Sequence, residues 1–209
     1  ASFLASRGGR VFSIEAMPSI AEHLRAGIVE NGLQNVDLYN YAISDPSAKD
    51  DLVMALQPWN KGGSAVEGNK PWTLTSGTTK VRVPLTTLDS MLDSEPELRN
   101  VLVAKMDIEG NEGRALKGAT RLLREAPPCY LMIELQPQWL VRTGTPVEEV
   151  GRILSDAGYD VSQIQSTHPQ TYRLQQRDLA ACLARVAAAV GKSAPAALAT
   201  STVLEAAQL

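Results

Sequence analysis

Val101-Leu102-Val103-Ala104-Lys105-Met106-Asp107-Ile108-Glu109-Gly110 is the stretch whose reading decides the fold. Its first four residues are a continuous apolar run, the pattern of a strand covered on both faces. Two acids and a glycine follow at once, so the strand ends in polar chemistry and a turn. Downstream, Ala115, Leu116, Ala119, Leu122 and Leu123 share one face of a helix that stops before Pro127-Pro128. Tyr130 to Leu135 reads as a second buried strand with Glu134 near its end. Pro146 to Asp156 is helical, Gly158 closes that helix, and Tyr159 to Ile164 reads as a further strand.

The alternation holds upstream. Val11-Phe12-Ser13-Ile14 is a short strand set off by Gly8-Gly9, and it ends at Glu15. Pro18 suits the first position of a helix, where a missing N–H costs nothing. Ile20, Leu24 and Ile28 make one apolar stripe, and Asn31-Gly32 is a left-handed stop. Val36 to Tyr41 reads as the next strand, with Ser44-Asp45-Pro46 as its turn. Leu52 to Leu56 and Lys80 to Val83 read as strands, and Thr86 to Leu92 as a short helix. Between those two strands lies a Gly-, Asn- and Thr-rich insert, 57 to 79, of a length that is often functional. Its Trp59 and Trp72 either cap an acceptor pocket or pin the loop by burial.

Strands alternating with helices predict an α/β fold, a mostly parallel sheet with helices on both faces. Residues 1–165 form the main domain. A strand/helix extension follows over 166–209, with a helix from Gln175 to Val190 and a low-complexity tail. The 209 residues, 44% hydrophobic and 21% charged, suit one such soluble domain. A net charge of −3 gives no global basic field for nucleic acid or anionic lipid. No apolar run is long enough to span a membrane. Cys129 and Cys182 have no metal-ligand spacing, and Cys129, opening an apolar run, reads as a buried inert thiol. Gly191-Lys192-Ser193 is not a phosphate loop, because Val186 stands where that loop needs glycine.

In open parallel sheets ligands bind beyond the carboxyl ends of the strands. Glu15 ends one strand, Asp107 and Glu109 a second, and Glu134 a third. A strand-end carboxylate can accept both hydroxyls of a nucleoside ribose, or it can serve as a cap. Lys105 is spaced to pair with Asp107. A salt bridge or cap explains any one of these acids, but three strand ends bearing acids are harder to explain that way. Of the two histidines, His23 reads as a surface residue on the first helix and His168 falls in a loop.

These residues also carry a family resemblance. Arg10-Val11-Phe12-Ser13-Ile14-Glu15-Ala16-Met17-Pro18 resembles the V-x-A-F-E-P-x-P segment of FkbM-type methyltransferases. Asn35-Val36, Ala42-Ile43-Ser44 and Val83-Pro84-Leu85-Thr86-Thr87-Leu88-Asp89 follow in order. Lys105-Met106-Asp107-Ile108-Glu109-Gly110-Asn111-Glu112 is similar to the K-x-D-x-E-G-x-E signature. Leu116-Lys117-Gly118-Ala119, Ile133-Glu134-Leu135 and Gly158-Tyr159 come at the expected intervals.

The resemblance implies a Rossmann-like methyltransferase fold that uses S-adenosylmethionine. It places Glu15 on the cofactor ribose, Ala16 and Met17 along the adenine side, and Ala42 and Ile43 facing adenine. Asp107 falls beside the methionine moiety and the acceptor, a hydroxyl on a sugar, glycan or small metabolite. Asp107, Glu109 and Glu134 are the candidates for catalytic base or orienting acid. No metal is assigned, although such carboxylates suit magnesium or manganese. The alternative is a methyltransferase fold kept as a non-catalytic binding or scaffolding module. Ala1 to Ser6 reads as the back half of the first helix, so the first strand and Gly-rich loop are expected to lie outside this chain. By itself the chain is then expected to bind the cofactor poorly.

Overall fold

The structure, a computed structural model, describes residues 9–48, 52–57, 63–68, 70–165 and 167–190. β1 (Val11–Ile14) leads through α1 (Pro18–Glu30) into β2 (Val36–Tyr39), and the two strands pair in parallel from Val11↔Val36 to Ile14↔Tyr39. Pro18 opens α1, and Gly32, at φ 60°, turns the chain out of it. The expected stripe is only partly used: Ile20 and Ile28 are half-buried, while Leu24 is 40% exposed. β3 (Ala42–Ile43) is followed by β4 (Leu52–Ala55), β5 (Ala65–Val66) and β6 (Lys80–Val83), which form an antiparallel sheet ordered β5-β4-β6. β7 (Leu85–Thr86) then pairs in parallel with β3.

α2 (Leu88–Ser94) starts at Thr87, whose hydroxyl accepts the Ser90 N–H. A 3₁₀ turn over Pro96–Asn100 leads to β8 (Val103–Met106). Two short helices, α3 (Glu112–Lys117) and α4 (Thr120–Glu125), precede β9 (Tyr130–Leu135). Then come α5 (Pro137–Arg142), α6 (Val147–Asp156), β10 (Gln170–Gln175) and α7 (Leu179–Val190). β9 pairs in parallel with β8 and antiparallel with β10.

This is a mixed α/β architecture, but the expected single, mostly parallel sheet is corrected to four small sheets among the described residues. Periodicity marks which stretches are extended; it does not say which of them pair. One core cluster nonetheless joins the first and middle parts. It packs Phe12, Ile14 and Tyr39 with Met91, Leu92, Ala115, Met106 and Ile108. A second core lies on β9 and β10, where Leu131, Ile133, Leu135, Tyr172 and Leu174 meet Val147, Val150 and Leu154 of α6.

Other expectations are corrected locally. β8 begins at Val103, not Val101, and is not covered on both faces. Val103 and Lys105 are exposed, because β8 is an edge strand of its sheet. The helix expected through Ala115 to Leu123 breaks at Gly118. The Asp89 carboxylate there accepts the N–H groups of Arg121 and Leu122, which starts α4 afresh. Tyr159 to Ile164 is not a strand. Tyr159 makes a lone bridge to Gln176, and the Asp160 side chain accepts the Ser162 N–H, folding the segment into a turn. Cys129 is not a free thiol: it forms a disulfide with Cys182 of α7, buried beside Val186. No described helix is long and apolar enough to cross a membrane. The readings made for Ala1 to Ser6, Trp59 and Gly191 to Leu209 fall outside the described residues.

Candidate active site

β8 ends at Met106, and the next six residues fold into a tight, heavily tied turn. Glu109 lies at φ 59° and Gly110 at φ 95°, two left-handed residues in succession. For a non-glycine residue that conformation costs roughly 1–2 kcal/mol, so the surroundings must hold it. Glu112, itself buried, supplies one tie, its Oε1 accepting the N–H of Ile108 at 3.0 Å and of Gly110 at 3.3 Å. The Thr143 hydroxyl donates to the Gly110 carbonyl at 3.0 Å. Trp139 closes the third side, so near that a Cβ on Gly110 would meet its Cβ at 2.6 Å. Only glycine fits there, on both conformational and steric grounds.

The turn divides the carboxylates. Asp107 and Glu134 come next after the paired residues Met106 and Ile133 of β8 and β9, and their carboxyl groups lie close enough to shift each other's titration. Lys105 Nζ donates to Asp107 Oδ2 at 2.9 Å, the pairing its spacing suggested, and Gln136 Nε2 donates to Glu134 Oε1 at 3.2 Å. Burial pushes the Glu134 carboxyl above its ordinary range, and the neighbouring Asp107 adds to that. Burial pushes Asp107 up as well, but Lys105 and Glu134 beside it outweigh this and hold it low. Such a pair titrates as a unit.

Glu109 lies near enough for its charge to help raise Glu134, but its partner is a lysine. Its Oε2 accepts a hydrogen bond from Lys70 Nζ, a lysine of the middle insert only 7% exposed, whose ammonium lies 3.9 Å from the centroid of the Trp139 ring. The three candidate acids therefore separate, with Asp107 beside Glu134 and Glu109 paired with Lys70. The physical reason is the left-handed bend, which falls at Glu109 itself. Among the described residues no group of three or more His, Cys, Asp or Glu side chains is placed to hold a metal ion together.

Glu15 ends β1 and is half-buried. Its Oε1 accepts the Met17 N–H at 2.7 Å, and burial, the larger effect, raises its carboxyl despite the bonds from Met17 and Ala16. Asn40 Nδ2 clamps this strand end by donating to the carbonyls of Glu15 and Ala16. Met17 and Ala42 are buried with Met54 and Val83, and Ala16 packs at their edge. Ile43 belongs to the neighbouring core, and its carbonyl accepts from Asn111 Nδ2 at 2.6 Å. That bond ties the segment after β2 to the turn after β8. No hydrogen bond or ion pair joins Glu15 to Asp107, Glu109 or Glu134 among the described residues. Lys70, Trp139, Asn40 and Asn111 are the site residues that sequence reasoning missed; Asn111 and Glu112 stood inside the signature without a role.

A sequence model of the methyltransferase FkbM domain matches residues 1–161. The chain belongs to the FkbM methyltransferase family. No curated protein and no solved structure gives a significant match. In this FkbM domain the match ends just after Tyr159, so β10 and α7 lie beyond it. Those elements are tied back through the β9–β10 ladder and the Cys129–Cys182 disulfide. The turn from Asp107 to Glu112, with its two left-handed residues, lies well inside the matched region.

Proposed function

We propose that the chain is an S-adenosylmethionine-dependent O-methyltransferase acting on a hydroxyl of a sugar, glycan or small metabolite. The observation that carries this is the Asp107–Glu134 pair. Two neighbouring carboxyl groups at adjacent strand ends, one held low and one high, form a ready proton acceptor. In the same reading β1–β2 and β8–β9–β10 are parts of one methyltransferase-type sheet, supported by the core that Phe12, Ile14 and Met106 share.

The residues at the other strand end fit the cofactor. Glu15 holds its carboxylate in place through the Met17 N–H, which orients it as a ribose acceptor would need to be. Ala16 is half-buried beside it, while Met17, Ala42 and Ile43 are packed beneath and would offer adenine backbone and a floor rather than free side chains. When bound, S-adenosylmethionine supplies a methyl group activated on a sulfonium.

The chain's own residues orient the acceptor and take its proton. An alcohol is far less acidic than a carboxylic acid, so the proton must leave as the new C–O bond forms. With both carboxylates ionised, the departing proton lodges between Asp107 and Glu134, where two neighbouring like charges favour taking up one shared proton. Lys105 keeps Asp107 ionised until then, and Gln136 orients Glu134. Glu109, neutralised by Lys70, serves as an orienting acid rather than the base.

Calorimetric titration of the full-length protein with S-adenosylhomocysteine tests the cofactor half. Glu15→Gln is expected to weaken binding at least tenfold, and Asp107→Asn to change it less than threefold. Unchanged affinity in Glu15→Gln would remove Glu15 from the site.

A further inference from the structure

Among the described residues of the middle insert, Lys70 reaches the carboxylate turn through a charged contact. Its ammonium is nearly all buried, yet every donor direction is used. It pairs with Glu109, lies 3.5 Å from the Gly63 carbonyl, and sits over the Trp139 ring. The backbone beneath is bolted in place. The buried Thr73 hydroxyl donates to the Lys70 carbonyl at 2.6 Å and accepts the Gly68 N–H at 2.9 Å, while Thr73 N–H also meets the Lys70 carbonyl. β5 anchors the same segment to β4 through Ala65↔Ala55 and Val66↔Met54.

Simple adhesion does not account for this. Burying an ammonium and a carboxylate carries a desolvation cost that a pair of apolar side chains would avoid, and such replacements are often neutral or stabilising. Glu109 adds backbone strain to reach its partner. The arrangement instead fixes the direction of one carboxylate and offsets its charge close to two others.

We infer that Lys70 is a positioning residue for methyl transfer. It offsets the Glu109 charge close to the Asp107–Glu134 pair and fixes the segment around Lys70 and Thr73 as a wall of the acceptor site, beside Trp139. This rests on the proposed transferase reading. Losing Lys70 releases an unpaired carboxylate toward the pair and frees the wall, so acceptor binding suffers while cofactor binding does not. The aromatic face and neutralised charge suit an uncharged polyol. A sulfated, phosphorylated or uronic acceptor would face the carboxylates of Asp107 and Glu134.

The test uses full-length protein carrying Lys70→Met, Lys70→Arg, or the charge swap Lys70→Glu with Glu109→Lys. Hydrogen exchange at the Gly68 and Thr73 amides reports the wall. Labelled-methyl transfer to neutral monosaccharides and their uronic counterparts reports the acceptor, and S-adenosylhomocysteine titration reports the cofactor site. Lys70→Met is expected to speed exchange at both amides at least tenfold and raise acceptor KM at least tenfold. S-adenosylhomocysteine affinity should hold within twofold. The swap should restore protection and most of the KM, and Lys70→Arg, folding like wild type, should keep both. Unchanged exchange and KM in Lys70→Met would overturn the inference, as would a swap that recovers neither. Wild-type failure to methylate any hydroxyl counts against the transferase reading instead, and the exchange data then still decide whether Lys70 holds the wall.

Discussion

Glu112 lies at the bottom of the turn after β8, 1% exposed, and its burial pushes the carboxyl from its ordinary 4.5 up to about 7. The rise persists although Oε1 accepts the N–H groups of Ile108 and Gly110, both of which favour the carboxylate, while Oε2 is buried without a partner. Between pH 4.5 and about 7 the folded chain keeps this proton and the unfolded chain releases it. Stability then falls as pH rises through that window, because the folded state binds more protons. At about 1.4 kcal/mol per pH unit the full loss is about 3 kcal/mol, complete above the folded value and absent below the unfolded one. Glu112→Gln keeps the size and the accepting oxygen but cannot ionise. Urea unfolding of both proteins near pH 4.5 and pH 8 isolates the effect, since the other titrating groups are common to the two. Relative to the variant, wild type should lose about 3 kcal/mol on going to the higher pH. A difference between the two proteins that does not change with pH would refute the reasoning.

Reducing the Cys129–Cys182 disulfide opens a loop of sequence separation 53, and chain-entropy arguments put its contribution at about 4 kcal/mol. Cys129→Ser with Cys182→Ser should lower stability by about that much in urea unfolding, with S-adenosylhomocysteine affinity unchanged, because the bridge sits at the start of β9 and the site at its end. The acid limb of kcat/KM should lie above the ordinary carboxylate value, since activity needs Glu134 deprotonated and burial and Asp107 raise it. In Asp107→Asn the residual activity should show that limb at lower pH, because the like-charged neighbour is gone; a limb that stays put would assign it to another group.

Much of the site was legible because strand-end acids are a local signal. A short apolar run that closes on an acid places Glu15, Asp107 and Glu134 without knowledge of pairing, and all three lie at or just past strand ends. Partnership was not legible. Whether Asp107 meets Glu109 or Glu134 depends on one residue entering the left-handed region, and nothing in Ile108-Glu109-Gly110 announces that Glu109 does so before Gly110. Lys70 was invisible for a similar reason: its partner is 39 residues away, and its neighbours Asn69 and Pro71 look like any loop. The disulfide joins residues in separate helix and strand signals, and a cysteine opening an apolar run looks alike whether or not it has found a partner. The fold misread follows the same rule. α1, α6 and β9 are legible from the local sequence pattern, whereas the division into four sheets and the β10 strand after the Tyr159 turn are set by long-range pairing.

In the proposed mechanism the Asp107–Glu134 pair accepts the proton during transfer of a methyl group to oxygen. Its most direct test is transfer of labelled methyl from S-adenosylmethionine to neutral sugars and hydroxylated metabolites by the full-length wild type and by Asp107→Asn with Glu134→Gln. General-base loss of this kind is worth roughly 100- to 10,000-fold. The expected result is methylation by wild type, a fall of that order in kcat for the double variant, and S-adenosylhomocysteine affinity within threefold of wild type. Methylation at the wild-type rate by the double variant would contradict the account.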